Sequence, residues 1–273
     1  MQKKILFTTF FVFIFFIAAS FLLVFNKNND IYAKGIPVLM YHNVVDSESI
    51  KHYSDKKYKK IFISTDKFKK QMQFLKDNNY KTLTLDELYG FVENGQKLPK
   101  NSVLITFDDG RKNVFINAYP ILKENNFKAV EFIITSKIQE KTQKYDSLKW
   151  QYMSKEELKK ANDVFEYASH THNMHKRSKQ TKKPYLLEQS AKKVKNDIET
   201  SLKYVDKRYF AYPYGVYNED NISILKELGI KAAFTTQKGK VHPKDSLYKL
   251  KRYNVCEQTS SIQFKRILGH KIF

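Results

Sequence analysis

Cysteine is almost absent from this sequence of 273 residues, in which Cys256 is the only one. A single cysteine excludes an intrachain disulfide, so the fold has to be stabilised by its core. The apolar side chains are sufficient for that, since 42% of the residues are hydrophobic and 15% are aromatic. The sequence also lacks an internal repeat, a long linker and a low-complexity block, which favours one substantial domain.

Acidic residues are few, with 28 Asp and Glu against 49 Lys and Arg, and the net charge is +21. Nucleic acid is one partner that such a positive field attracts. The lysines are spread along the chain, however, without a compact arginine-rich stripe or a known nucleic-acid motif, so we predict no nucleic-acid partner. Two interpretations stay open: attraction to an anionic lipid, wall polymer or other acidic cell-surface component, or a solvated lysine-rich surface.

Charge is missing altogether from residues 5–25, which follow Lys3 and Lys4 and precede the polar run 26–30. A soluble helix would show a polar face, and this stretch has none. It is longer than the usual signal core of about 7–15 residues, and it is close to the roughly 20 residues that span a bilayer. We therefore expect residues 1–34 to be a signal peptide or an N-terminal membrane anchor, and the protein to act outside the cytoplasm, secreted or at the cell surface.

From residue 35 onward, short apolar runs alternate with amphipathic stretches, which is the βα pattern. Capping-box spacing places helix starts at Thr84 and Ser154, and residues 114–122 carry helical periodicity. In a barrel of parallel strands the carboxyl ends converge on one rim, where a site is built. The sequence is equally compatible with an alternating α/β fold in which the sheet does not close into a barrel. Strands are predicted at 36–41, 81–84, 103–107, 129–135, 164–169, 209–212, 232–235 and 250–255.

Two adjacent carboxylates, Asp108 and Asp109, come at the end of the apolar run 103–107, and Gly110 then permits a tight turn. Neighbouring carboxylates repel each other, and a bound cation relieves that repulsion. Asp-Asp-Gly is also an ordinary turn sequence, so the pair alone does not identify a site.

Three of the seven histidines, His170, His172 and His175, lie together directly after the predicted strand 164–169. Histidine clusters of this kind also occur in ordinary polar packing. In combination with an aspartate at another strand end, however, two imidazoles can bind a divalent ion and leave positions open for water and substrate. The two patterns together therefore favour a hydrolytic metal site.

Three ordered segments resemble the motifs of the polysaccharide deacetylases with the NodB homology domain, carbohydrate esterase family four. Residues 106–110 resemble the first motif, residues 169–175 the second and residues 212–215 the third. The resemblance extends from about residue 36 to residue 255, and it implies a distorted (β/α) barrel domain over residues 35–273. It also implies a divalent metal cofactor, for which zinc is expected.

The same resemblance implies roles for individual residues. Asp108 is the expected catalytic base, and the backbone N–H of Tyr214 the expected donor to the oxyanion. The third motif is expected to form one wall of the substrate groove. The implied metal ligands are Asp109, His170 and His175, and the implied groove residues are Trp150, Tyr212, Pro213 and Tyr214. The alternative for Trp150 is a position in the core. His172 is interpreted as a groove residue or a structural residue.

Two departures from the family pattern indicate which subgroup of the family the sequence resembles. The arginine that usually precedes the Pro-Tyr pair is absent, and either Arg208 or Arg252 is a candidate to replace it. A histidine, His42, follows the first predicted strand, as in the poly-β-1,6-N-acetylglucosamine deacetylases of biofilm formation, the intercellular adhesion protein B group. His42 is then the expected general acid, and His270 near the carboxyl terminus is its rival.

The resemblance predicts a monomeric hydrolase that removes acetyl groups from a surface poly-β-1,6-N-acetyl-D-glucosamine. The cationic product would be retained at the cell surface in a biofilm. Alternatives are a deacetylase of peptidoglycan or chitin-like chains, an esterase of acetylated xylan, or a catalytically silent glycan-binding protein.

Overall fold

The structure, a computed structural model, describes residues 32–53, 58 and 60–270. Of the predicted export segment, residues 1–34, residues 1–31 lie outside this part of the chain. Among the described residues, no helix has the length and apolar character needed to cross a membrane.

Parallel strands form one curled sheet in the order β10-β1-β5-β6-β7-β8-β9, with β4 on the beginning of β5. Strands β2 and β3 pair separately. The strands are β1 (Val38–Tyr41), β2 (Asn43–Val45), β3 (Phe62–Ser64), β4 (Lys81–Thr82), β5 (Ser102–Asp109), β6 (Ala129–Ile133), β7 (Phe165–Ser169), β8 (Lys207–Ala211), β9 (Ala232–Phe234) and β10 (Tyr253–Asn254).

The two edges of this sheet approach each other through residues 250–254. Leu250 bridges Phe234 of β9, and Tyr253 pairs with Leu39 of β1. The sheet therefore curls round on itself, and the predicted distorted (β/α) barrel is confirmed.

Helices pack against the sheet through shared hydrophobic clusters. The capping boxes expected at Thr84 and Ser154 are both present. The helices are α1 (Thr65–Asp77), α2 (Leu85–Asn94), α3 (Tyr119–Glu124), α4 (Lys155–Lys160), α5 (Tyr185–Glu188), α6 (Ala191–Ser201), α7 (Glu219–Glu227) and α8 (Ser261–Leu268).

The predicted helix 114–122 is not a regular α-helix at its start. Val114–Ala118 is a π-helical turn that leads into α3, and the Tyr119 N–H donates to the Val114 carbonyl. Proline lacks an N–H, so Pro120 cannot make the α-helical bond to the carbonyl of Ile116. The wider turn therefore precedes the residue at which the α-helical ladder is interrupted.

Strand β5 shows how alternation positions the site. All its residues are buried, as expected for a parallel strand covered on both faces. Ile105 and Phe107 pack with α1 residues in one hydrophobic cluster, and Leu104 packs with residues of β6, β8 and β9 in another. Because side chains alternate along a strand, Asp108 is directed to the same side as Leu104, the inside of the curled sheet.

Glu157→Gln is expected to lower the free energy of unfolding by about 3–5 kcal/mol, because it leaves a buried cation without its counter-charge. The Lys112 ammonium contacts the Glu157 carboxylate, and the two side chains are 2% and 5% exposed. Urea unfolding measures the effect. Glu156→Gln is the matched control, because Glu156 precedes Glu157 directly in the sequence and its side chain is exposed. Equal unfolding midpoints for both variants would contradict a stabilising role for the pair.

Candidate active site

Polar residues at or just beyond three strand ends meet on one rim of the sheet. His42 follows β1, the aspartate pair ends β5 and His170 follows β7. These strands are parallel, so their carboxyl ends lie on the same side. The convergence expected of a barrel rim is therefore present.

Asp109, His170 and His175 form a group whose potential ligand atoms all lie within 4.8 Å of one another. The Asp109 Oδ1 atom is 3.8 Å from His170 Nε2 and 3.5 Å from His175 Nε2. This oxygen is buried and has no hydrogen-bond partner among the described residues. A buried carboxylate oxygen that faces two imidazole nitrogens fits the ligand set of a divalent cation.

The backbone fixes which nitrogen of His170 faces this group. His170 Nδ1 lies 2.7 Å from the carbonyl oxygen of Ala211. A carbonyl can only accept a hydrogen bond, so Nδ1 carries the proton and Nε2 presents its lone pair. A hydrogen bond from the second ring nitrogen is the usual means of orienting a metal-binding histidine.

Charges and burial favour the deprotonated form of all three side chains. Burial raises the pKa of Asp109, but the Arg111 guanidinium and the nearby histidines outweigh it, so this pKa is lowered below its ordinary value. Burial also lowers the pKa of His170, and it lowers that of His175 to about 4. Protons therefore compete weakly with a cation for these ligand atoms near neutral pH.

Asp108 faces a buried arginine. Arg252 Nη1 and Nη2 donate to its two carboxylate oxygens at 2.7 and 2.8 Å. The Arg252 side chain is 0% exposed, and its Nε donates to the Thr235 carbonyl at 3.0 Å. Burial raises the pKa of Asp108, but the Arg252 charge and hydrogen bonds contribute most to an opposite, net lowering of the pKa.

The other candidate for the missing motif arginine lies elsewhere. Arg208 is exposed, and its Nη1 donates to the Leu228 carbonyl at 3.4 Å. Of the two arginines, Arg252 is the one that contacts Asp108.

His42 lies beside the same carboxylate, with its Nε2 4.0 Å from Asp108 Oδ2. Its Nδ1 is buried without a hydrogen-bond partner among the described residues. Burial lowers the pKa of His42, and the charges of Asp108 and Asp109 partly oppose that effect.

His270 lies at the opposite end of the sheet. Its ring packs 5.0 Å from the Phe74 ring and 5.7 Å from the Tyr80 ring. Tyr80 directly precedes β4, which pairs with Ser102 at the start of β5. Asp108 is near the other end of that strand, about 20 Å away at roughly 3.3 Å per residue.

Three non-glycine residues next to these groups have left-handed backbone: Asp109 (φ 83°), Thr171 (φ 72°) and Tyr214 (φ 59°). Each such residue costs about 1–2 kcal/mol relative to right-handed backbone. They lie at or just beyond the ends of β5, β7 and β8. Strained backbone of this kind persists where the surroundings impose it, and it is concentrated at functional sites.

The segment between the two histidines is held by α6. The Asp197 carboxylate accepts from the N–H groups of His172 and Asn173 at 2.9 and 2.8 Å. The His172 ring lies against Tyr204, with its Nδ1 2.9 Å from Thr135 Oγ1. Of the two interpretations left open for His172, these contacts favour the structural one.

Two aromatic residues border the site. Trp150 is 43% exposed, which favours the groove over the core for this residue. The Tyr214 ring lies 4.5 Å from the His175 ring. The expectation for Tyr212 needs a correction, because its side chain is fully buried and its hydroxyl donates to the Tyr248 carbonyl at 3.1 Å. Pro213 is also buried. The Tyr212 side chain packs in the hydrophobic cluster that also contains Ile224 and Leu225 of α7.

Comparison with known proteins identifies the family of this chain. Residues 95–233 match the family model described as polysaccharide deacetylase. This chain belongs to that family. The poly-β-1,6-N-acetyl-D-glucosamine N-deacetylase of Staphylococcus aureus strain MRSA252 is 33% identical over 241 residues, which cover 84% of this chain and 81% of the relative. The family resemblance of the three motifs is therefore confirmed.

Two solved structures are similar over most of their length. The deacetylase PplD of Streptococcus pyogenes, in complex with acetate, gives a TM-score of 0.73 at 26% identity, covering 86% of this chain and 98% of its own. IcaB from Ammonifex degensii gives 0.70 at 26% identity, covering 87% and 97%.

Two charged side chains of this polysaccharide deacetylase were not among the predicted site residues. Arg111 Nη2 donates to Asp109 Oδ2 at 3.1 Å. Glu131, fully buried in β6, accepts from the Gly110 N–H at 2.8 Å, and burial raises its pKa well above the ordinary value. Glu131 could have been noticed as the one charged residue of an otherwise apolar strand, whereas nothing in the sequence singles out Arg111 from the other basic residues.

Proposed function

We propose that this protein hydrolyses the N-acetyl groups of poly-β-1,6-N-acetyl-D-glucosamine outside the cytoplasm. The products are acetate and cationic glucosamine units, which retain the polymer at the cell surface in a biofilm. The name of the S. aureus relative supports this substrate. The observation that carries the reaction is the Asp108–Arg252 pair on the same rim as the group of Asp109, His170 and His175.

Asp109, His170 and His175 would hold a divalent metal ion, for which we propose zinc, because two imidazoles and one carboxylate are a common catalytic zinc set. When bound, such an ion polarises the acetamide carbonyl and lowers the pKa of a water molecule. The unpartnered Asp109 Oδ1 and the fixed orientation of His170 support this assignment.

The remaining chemistry is carried by side chains and backbone. Asp108, kept ionised by Arg252, accepts a proton from the attacking water, whose oxygen forms the new bond to the carbonyl carbon. The Tyr214 N–H donates to the oxyanion. His42 Nε2, 4.0 Å from Asp108 Oδ2, then passes a proton to the amide nitrogen as the C–N bond breaks. The neutral sugar amine leaves together with acetic acid, which loses a proton to give acetate. The proton held by Asp108 balances the one that His42 gave up.

We also propose that residues 1–34 direct the chain out of the cytoplasm, as a cleaved signal or as an anchor. The uncharged stretch 5–25 after Lys3 and Lys4 supports this proposal. The net charge of +21 supports association of the monomer with an anionic cell surface.

His42→Ala is expected to lower the rate of acetate release from poly-β-1,6-N-acetyl-D-glucosamine by about 100- to 10,000-fold, the usual contribution of a general acid. His270→Ala is the matched control and should retain the wild-type rate. Release of acetate is measured for both variants and for wild type, with chitin oligomers as a second substrate.

The outcomes separate the candidate functions. Release from chitin oligomers alone would move the protein to chitin-like or peptidoglycan chains. Glycan binding without release by zinc-loaded wild type would favour a silent binding protein. A loss of activity in His270→Ala instead of His42→Ala would reverse the assignment of the acid.

A further inference from the structure

Arg111 is a buried charged side chain with only part of its hydrogen-bonding capacity in use. The residue is 7% exposed, and its Nη2 donates to Asp109 Oδ2 at 3.1 Å. Its Nε and Nη1 are buried without a hydrogen-bond partner among the described residues. Burying a guanidinium costs free energy unless it is paired and fully hydrogen-bonded, so the two unused donors of Arg111 require an explanation.

The guanidinium is stacked on two aromatic rings. Its central carbon lies 4.1 Å from the centroid of Trp150 and 4.3 Å from that of Tyr152. A planar guanidinium can stack on aromatic faces and donate in its own plane at the same time, which a lysine cannot. One side chain therefore touches both the exposed Trp150 ring and a predicted metal ligand.

The backbone keeps these partners together. Arg111 and Tyr152 form an isolated antiparallel bridge. The Met153 N–H donates to the Gly110 carbonyl, and the Lys112 N–H donates to the Gln151 carbonyl, both at 3.1 Å. The residues after Asp109 are thus fastened to the segment that presents Trp150, and Arg111 has little freedom to leave this position.

The two oxygens of Asp109 consequently have different surroundings. Oδ2 is occupied by Arg111, whereas Oδ1 is the atom that faces His170 and His175. A guanidinium on one oxygen fixes the rotation of the carboxylate and leaves the other oxygen as the available ligand atom.

We propose that Arg111 is a positioning residue that couples metal binding at Asp109 to the aromatic groove wall at Trp150. The proposal rests on the proposed function in assigning a metal ion to the Asp109 group. Neutralisation of the Asp109 charge by a cation changes the field that Arg111 experiences, and the stacked Trp150 ring lies directly against that guanidinium. Occupancy of the metal site is thereby transmitted to the surface that is expected to contact the sugar chain.

Trp150 is the only tryptophan of the chain, so its fluorescence reports this coupling without interference from other tryptophans. The purified full chain is titrated with Zn²⁺, affinity being obtained by competition with a chromophoric chelator and fluorescence being followed in parallel. We expect Arg111→Ala to weaken Zn²⁺ binding by about 10- to 100-fold, the usual effect of removing such a supporting partner. We also expect wild type to show a fluorescence change at Zn²⁺ saturation and Arg111→Ala to show none.

Lys137→Ala is the matched control. The Lys137 ammonium lies over the same Tyr152 ring, 5.8 Å from its centroid, but the cation that contacts Asp109 is Arg111. It should keep wild-type affinity and response. Arg111→Lys preserves the charge without the planar donor geometry, so it should bind Zn²⁺ more weakly than wild type and give a reduced response. This second variant also tests the proposal if Arg111→Ala does not fold.

Wild-type Zn²⁺ affinity and an unchanged fluorescence response in both Arg111 variants would overturn the proposal. Failure of the proposed substrate is a separate result, since neither readout requires hydrolysis. If wild type binds Zn²⁺ and the Arg111 variants lose both readouts, the coupling stands even where no acetate is released from poly-β-1,6-N-acetyl-D-glucosamine. Where acetate is released, Arg111→Lys should raise KM by a larger factor than Lys137→Ala does.

Discussion

Asp108→Asn is expected to lower kcat for acetate release by about 100- to 10,000-fold, because an amide cannot accept the proton of the attacking water. The metal group does not include Asp108, so the variant should still bind Zn²⁺ with an affinity close to that of wild type. Steady-state acetate release and a Zn²⁺ competition titration measure the two quantities on the same preparation.

Stability has to be measured alongside, since Arg252 is fully buried and donates to both oxygens of Asp108. Removing one partner of a buried ion pair costs about 3–5 kcal/mol, and a lower melting temperature is therefore expected. Asp109→Asn is the informative comparison, because it should lose Zn²⁺ affinity as well as activity. If Asp108→Asn retained wild-type kcat, or lost metal as completely as Asp109→Asn does, Asp108 would not be the base.

The different tasks of two adjacent aspartates follow from the geometry of the strand end. Alternation along β5 directs Asp108 into the curled sheet, where Arg252 lies 5.5 Å from the Phe132 ring. At Asp109 the backbone leaves the strand with φ 83°, and its carboxylate meets the two histidines at the rim. Arg252 on the Asp108 carboxylate and Arg111 on the Asp109 carboxylate relieve the repulsion that two neighbouring negative charges would otherwise cause.

The sequence was sufficient for the features that depend on local chemistry. The apolar run 103–107 followed by two aspartates predicted a buried strand with polar groups at its carboxyl end, and both capping boxes formed as their spacing indicates. Convergence of the strand ends followed from the βα pattern, because neighbouring parallel strands point the same way.

The sequence pattern could not predict the features that depend on contacts between residues far apart in the chain. Arg208 and Arg252 were equivalent candidates, and only the pairing of residues 250–254 with both sheet edges brings Arg252 to Asp108. Tyr212 belongs to a motif expected at the groove, yet its ring packs into the core. The left-handed backbone of Thr171 and Tyr214 has no sequence signal, since such residues ordinarily avoid it.

Removal of the metal ion is expected to lower acetate release by at least about 100-fold, since its charge stabilisation of the transition state is worth several kcal/mol. Dialysis against a chelator should abolish release, and added Zn²⁺ should restore it. His170→Ala should not be restored in this way, because the Nε2 atom that faces Asp109 is gone.

His172→Ala is the matched control in the same short segment, because the His172 ring contacts Tyr204 and Thr135. A ligand that binds only the folded state at 100 times its Kd stabilises it by about 2.7 kcal/mol. Zn²⁺ should therefore raise the melting temperature of wild type and of His172→Ala, and it should leave that of His170→Ala nearly unchanged. An equal rise in all three proteins would place the ion away from His170 and remove the basis for the proposed mechanism.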